Sequence, residues 1–196
     1  IRVFVQIEDD ETGNVLLTHR HLQKTRDLLL DTGSVARSIA PHLVRALATA
    51  ERVRAATLST DSLDAWSAYQ LGNLHLYRFG RDDIQQARRC FQRSADTDAS
   101  FASPCGALAY AGFLDAVLGF DDRRDQVVAD AVAAGRLAVR RDDRDPMAHF
   151  GLARALSLTG SLEGAMAELD AAVEIDPAFG PAHLGIGAAL SLAGRH

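Results

Sequence analysis

The sequence predicts a mainly α protein: an α–α superhelix of stacked helix hairpins, preceded by a short N-terminal β-hairpin. Three observations predict it. Alanine is abundant and aromatic residues make up only 6% of the chain, which favours helix over a large mixed core. Apolar residues alternate singly over the first seven positions and recur at helical spacing after Gly33. From Asp61 onward, the sequence repeats itself with a period of 34 residues.

Taking the elements in order, Ile1, Val3, Val5 and Ile7 form the apolar face of a strand, with Arg2, Phe4 and Gln6 on the other side. Residues 9–14, Asp-Asp-Glu-Thr-Gly-Asn, make a polar turn, and Val15–Thr18 returns as a second strand. Two strands alone are marginal in water, so this hairpin either packs on the helices after it or is the edge of a larger sheet. After Gly33, Ser34 is placed as an N-cap, and Val35, Ile39, Leu43, Leu47 and Ala50 form a helical stripe. Pro41 should kink that helix or restart it. The helix fades near Leu58, and Ser59-Thr60-Asp61-Ser62 supplies a break and a new cap. The expected division is 1–32 as a β-hairpin remnant of an upstream α/β domain, 33–60 as a connecting helix, and 61–196 as the repeats.

The repeats carry most of the information. His149–Gly160 (HFGLARALSLTG) aligns with His183–Gly194 (HLGIGAALSLAG), 34 residues on, with 7 of 12 positions identical. The unit between them is complete. Asp145 caps its first helix with Pro146 just inside, and Leu152, Ala153 and Leu156 form the inner stripe. Gly160 ends that helix, Ser161 caps the second, and Ala165, Leu169 and Ala172 face inward before Asp176-Pro177 closes the unit. Small residues at 153, 165 and 172 let the two helices approach closely. A shift of 78 residues lays Ala87, Phe91, Ser94, Asp98 and Phe101 over Ala165, Leu169, Ala172, Asp176 and Phe179. The first helix of that earlier unit carries Trp66, Leu71 and Gly72, and its turn is about three residues longer than the norm. An expanded unit lies between: Cys105, Leu108 and Ala109 open it, and Ala131, Gly135 and Ala138 close it. Its spacing to the next unit is 44 in the first helix and 34 in the second, which puts the excess around Leu118–Gln126. The array is therefore a long-turn repeat (61–101), an expanded repeat (102–145), a regular repeat (146–179) and a half repeat (180–196).

This pattern resembles the tetratricopeptide repeat at most of its signature positions, with His149 and His183 in place of the usual first-helix tryptophan. The resemblance implies a fold that binds proteins or peptides along the concave row of first helices. Gln70, Asn73 and Tyr77 in the first unit and Arg154 in the regular one are the candidate groove residues. Members that bind chaperone tails clamp a terminal carboxylate with lysine and asparagine. Lys24, the single lysine here, lies outside the array, so that pattern is not matched. The order of parts (strand, Asp10-Glu11-Thr12-Gly13 turn, helix ending near Ala50-Glu51-Arg52, then Leu63-Asp64-Ala65-Trp66) also resembles bacterial multidomain regulators. There a TolB-like α/β domain precedes tetratricopeptide repeats, and the output domain is a class III nucleotide cyclase or a winged-helix DNA-binding domain. That resemblance implies a regulatory module and transfers no catalytic residue.

Leu184, Ile186, Leu190 and Leu192 form an apolar stripe on the last helix with no following helix in the sequence to cover it. Terminal repeats normally present a polar face. The stripe is expected to pair with a second copy, and the natural chain is expected to continue past His196.

The remaining chemistry is sparse. A net charge of −5 without a clustered basic face lacks the footprint of a nucleic-acid binder. No apolar run is long enough to cross a bilayer, and nothing resembles a secretory signal. Cys90 and Cys105 lack CxxC or Cys/His spacing and read as small buried hydrophobes of a reducing, cytoplasmic compartment. His149 and His183 fill an aromatic slot rather than bind metal, and His19 and His21 lack a third ligand. Gly185-Ile-Gly187 has Leu190 where a dinucleotide loop needs glycine, and it follows no strand. Asp121-Asp122-Arg123-Arg124 and Arg140-Arg141-Asp142-Asp143 read as solvated helix ends. No catalytic, cofactor or metal site is expected, and the fragment is not expected to be an enzyme.

Overall fold

The computed structural model describes residues 2–10, 12–22, 24, 33–57 and 63–192, with the backbone alone at 192. Ile1, Glu11, Leu58, the expected cap at 59–62, the Leu192 side chain and Gly194 therefore lie outside the described residues. The chain divides into two compact units, Ile1–Leu58 and Ser59–His196.

In the first unit, β1 (Arg2–Glu8) pairs antiparallel with β2 (Val15–Leu22), from Arg2 opposite Leu22 to Ile7 opposite Leu17. Val3, Val5 and Ile7 are half-buried while their neighbours are exposed, as the alternation requires. The second strand is longer than the sequence suggests and runs on through His19 and His21. Helix α1 (Ser34–Ala55) supplies the surface on which the hairpin packs. His19 stacks on His42 with ring centroids 4.6 Å apart, and His21 Nδ1 lies 2.9 Å from Ser38 Oγ. Two expectations are corrected by α1. Its N-cap is Gly33, without a side-chain bond, and it runs uninterrupted through Pro41.

The second unit is three helix hairpins and a further helix: α2 (Ala65–Leu76) with α3 (Arg81–Thr97), α4 (Ser103–Leu118) with α5 (Arg124–Arg141), α6 (Pro146–Ser157) with α7 (Leu162–Ile175), then α8 (Gly180–Leu192). Caps explain several of the starts. Asp64 accepts from Ser67 N at 2.7 Å and opens α2, and Asp145 accepts from Met147 N at 2.8 Å and opens α6 with Pro146 next to it. Ser161 occupies the cap position of α7 but makes no side-chain cap bond.

The hairpins deviate from a regular repeat differently from the expectation. The α2–α3 turn has no added residues: it covers 77–80, as the α6–α7 turn covers 158–161. The extra length is in α3, with 17 residues against 14 in α7. In the expanded unit most of the excess is likewise helix, 16 and 18 residues in α4 and α5 against 12 and 14 in α6 and α7. Helix absorbs added residues while satisfying its own backbone hydrogen bonds, which a longer loop does not.

The core runs continuously through the stack. Leu76, Ile84, Ala87, Phe91, Ala107, Ala111, Phe113 and Leu114 form one cluster across α2, α3 and α4. Phe150, Ala153, Leu169, Ala172, Ala182 and Ala189 form the next across α6, α7 and α8. Each hairpin thus closes its neighbour's core. Two glycines set the spacing of α4 and α6: a Cβ on Gly106 would collide with the carbonyl of Met147, and one on Gly151 with the carbonyl of Gly106.

Candidate peptide-binding face

Of the expected groove residues, Arg154 is the one that reaches a neighbouring first helix. Arg154 on α6 lays its guanidinium over the Phe113 ring of α4, 3.9 Å from the centroid. Burial lowers its pKa from the ordinary arginine value. No carboxylate lies within ion-pair distance of it among the described residues. Tyr110, one helical turn before Phe113, stacks on that ring and packs against Phe150, with centroids 6.0 and 4.9 Å away. Burial raises the Tyr110 pKa; the charge of Arg154 works against the rise and Tyr77 adds to it.

Tyr77 caps α2 and is 59% exposed, and Asn73 is half-buried. Gln70 does not belong to an open groove: it is 2% exposed and sits in the core of its hairpin. Tyr110 and Phe113 were missed by sequence reading. Their signal was two aromatics three residues apart, which places them on one helix face.

The α8 stripe is also divided. Ala182, Gly185 and Ala189 make the buried face of that helix, and a Cβ on Gly185 would press on Leu169. Ile186 turns toward the chain's own core, Leu190 is half-buried, and Leu184 alone of the three is fully presented, at 78% exposure. A period of 3.6 cannot hold positions 184, 186 and 190 on one line.

His149 is buried in the slot expected for it. Its Nε2 faces the Asp143 carbonyl oxygen at 2.9 Å and its Nδ1 faces Glu168 Oε2 at 2.6 Å. His183 makes the equivalent contact with the Pro177 carbonyl oxygen at 2.8 Å, so both rings staple a first helix to the turn six residues before it. Cys90 and Cys105 are buried free thiols. Among the described residues, no group of three or more His, Cys, Asp or Glu is arranged to hold a metal ion, and no helix is long and apolar enough to cross a membrane.

Comparison with known proteins bears on the fold. No family model matches the chain, and no curated protein matches it in sequence. Solved structures do. The first TPR of Spaghetti (RPAP3) bound to the HSP90 peptide SRMEEVD is 18% identical, with a TM-score of 0.51, over 66% of this chain and 95% of that one. The first TPR domain of the human RPAP3 protein, an NMR structure, is 20% identical, with a TM-score of 0.51, over 67% and 94%. The fold is therefore a tetratricopeptide-type α–α superhelix with an N-terminal β-hairpin.

Proposed function

We propose that this chain is a noncatalytic protein-interaction module whose first-helix face takes an extended peptide, with Arg154 receiving an acidic group of that peptide. The observation that carries this reading is a half-buried guanidinium, backed by Phe113, with no acidic partner of its own among the described residues. Such a group is costly to bury unless a ligand supplies the counter-charge. Tyr110 stands beside it with aromatic surface and a hydroxyl, the side-chain type enriched in binding sites. The peptide held by the RPAP3 domain of the same fold is also acidic, which supports this choice of ligand. The present chain reaches that chemistry with arginine and tyrosine rather than with lysine.

The test is fluorescence anisotropy of the chain with labelled extended peptides that differ in one glutamate. Glutamate-bearing peptides are expected to bind, and Arg154→Gln to weaken them by about tenfold or more, because a charge-assisted bond in a desolvated site is worth roughly 1.5–3 kcal/mol. Equal binding of glutamate and glutamine peptides would sink the idea.

The order of strand, turn, helix and repeats supports placing the module in a bacterial signalling protein of the cytoplasm, beside a nucleotide cyclase or a winged-helix output domain. The exposure of Leu184 supports a second reading, self-association through α8. Analytical ultracentrifugation of the chain and of Leu184→Glu separates the two: a dimer lost in the variant supports self-association, and a monomer at high concentration overturns it.

A further inference from the structure

The first unit leaves a cleft open between its own two layers. His21 meets Ser38 and His19 meets His42, so the strand and the helix run antiparallel. Two residues back along β2 match four forward along α1, as the rises of strand and helix require. Continued, that register sets Leu17 level with Ala46, Val15 level with Ala50, and the hairpin turn level with Val53 and Thr57. Alanine at 46 and 50, one turn apart on a single helix face, is too small to close the gap. What remains is a cleft of about 870 Å³ with Val15, Leu16, Leu17, Ala46, Ala50 and Val53 in its walls. Val15 and Val53 are 53% and 68% exposed, so apolar surface is left in water there.

The polar groups of the cleft are mostly satisfied from within. Thr49 and Thr57 donate their hydroxyls to the carbonyls of Arg45 and Arg54, at 2.8 and 2.7 Å. Arg54 is held by Glu51 through two bonds of 2.8 and 2.9 Å. Asp9, at the turn end, accepts from the amide and the hydroxyl of Thr12 at 2.7 and 2.8 Å. Arg45 lines the other end of the cleft, level with Leu17, and has no carboxylate partner among the described residues. The cleft is therefore an apolar slot with one unanswered positive charge at the end away from Asp9. It follows α1 from His42 to Thr57, a length of roughly 20 Å.

We propose that this slot binds a medium-chain fatty acid, with its alkyl chain along Ala46, Ala50 and Val53 and its carboxylate on Arg45. Small-molecule sites are cavities of roughly 300–1,000 Å³ with apolar walls and a few placed polar groups, and this cleft has that size and character. Its length suits a linear chain, which covers the exposed valines. A single guanidinium matches one carboxylate through paired N–H donors. Asp9 repels an anion from the turn end, so the acid is bound in one direction. The site shares no residue with the peptide face and stands or falls independently of that reading.

Isothermal titration of the intact chain with decanoate, decanol and butyrate tests it. Decanoate is expected to saturate one site per chain. Decanol lacks the charge and butyrate lacks most of the chain, so each should bind about tenfold more weakly or worse. Arg45→Gln, at an exposed position, should weaken decanoate about tenfold and leave decanol unchanged. Ala50→Leu fills the slot with a good helix former and should weaken both ligands. Should that variant fail to fold, Arg45→Gln and the decanol comparison still decide. Equal binding of decanoate and decanol, uptake without saturation, or undiminished decanoate binding in Arg45→Gln would overturn the proposal. A cleft closed instead by a second copy or by a partner's strand would take up no decanoate, and that result overturns it too.

Discussion

His149 has both ring nitrogens against acceptors, a carbonyl on one side and the Glu168 carboxylate on the other. A neutral imidazole offers one N–H, so the pair is fully satisfied when the ring is a cation. The hydrogen bond to Glu168 is the largest cause raising its pKa above the ordinary histidine value, and burial opposes it. That direction fixes the sign of the pH effect. Stability from this pair is fully present below the unfolded-state pKa near 6.5 and is lost as pH rises through the higher folded value. Thermal melts of the wild type should therefore fall relative to those of Glu168→Gln as pH rises across that window. Parallel pH profiles would show that the pair contributes no such linkage. Phe79 is a second residue out of the ordinary, a non-glycine at φ 57° in the α2–α3 turn. Gly160, equally placed after α6, has φ 80° and bears no penalty. A left-handed conformation costs an L-residue roughly 1–2 kcal/mol, so Phe79→Gly should raise stability by about 1 kcal/mol in urea melts. A lower midpoint would mean that the half-exposed ring contributes more than its backbone costs.

At the scale of elements, glycine marks where helices touch and where they do not. Gly151 sits against the backbone of Gly106, so Gly151→Ala must push α4 and α6 apart and should cost about 2 kcal/mol or more. Gly187 in α8 has no atom near its missing Cβ. Gly187→Ala should instead stabilise, by up to about 1 kcal/mol, through helix propensity alone. Urea denaturation of the two variants gives opposite shifts if helix spacing is set as described. Shifts of the same sign would refute it. Added turns on α3, α4 and α5 belong to the same logic. They extend the helices at one end of the unit, where Leu114, Ala116 and Val127 add to the buried core.

For the molecule as a whole, stability is distributed along the stack. Each hairpin closes its neighbour's core, so a cavity at one interface should loosen nearby helices first. Leu169 is 2% exposed and packs under α6 and α8. Leu169→Ala should cost about 2–5 kcal/mol. Hydrogen exchange in that variant should accelerate in α6, α7 and α8 before α2 and α3. Uniform acceleration would indicate one all-or-none unit instead of a repeat array.

The sequence by itself determined the repeat, its 34-residue period, the inward positions and the cap at Asp145 with Pro146 just inside the helix. Those signals are local: periodicity and capping depend on residues within one or two helical turns. It also placed Arg154 on a first helix, because repeat position sets the element. Only the tertiary structure decided that Gln70 is core, that Ile186 turns inward, and that the extra residues of the first and expanded units are mostly helix. It alone brought Phe113 beneath Arg154. The physical reason is the same in each case. Burial and pairing depend on which side chains a neighbouring hairpin presents, and that neighbour lies about forty residues away in sequence but one helix diameter away in space.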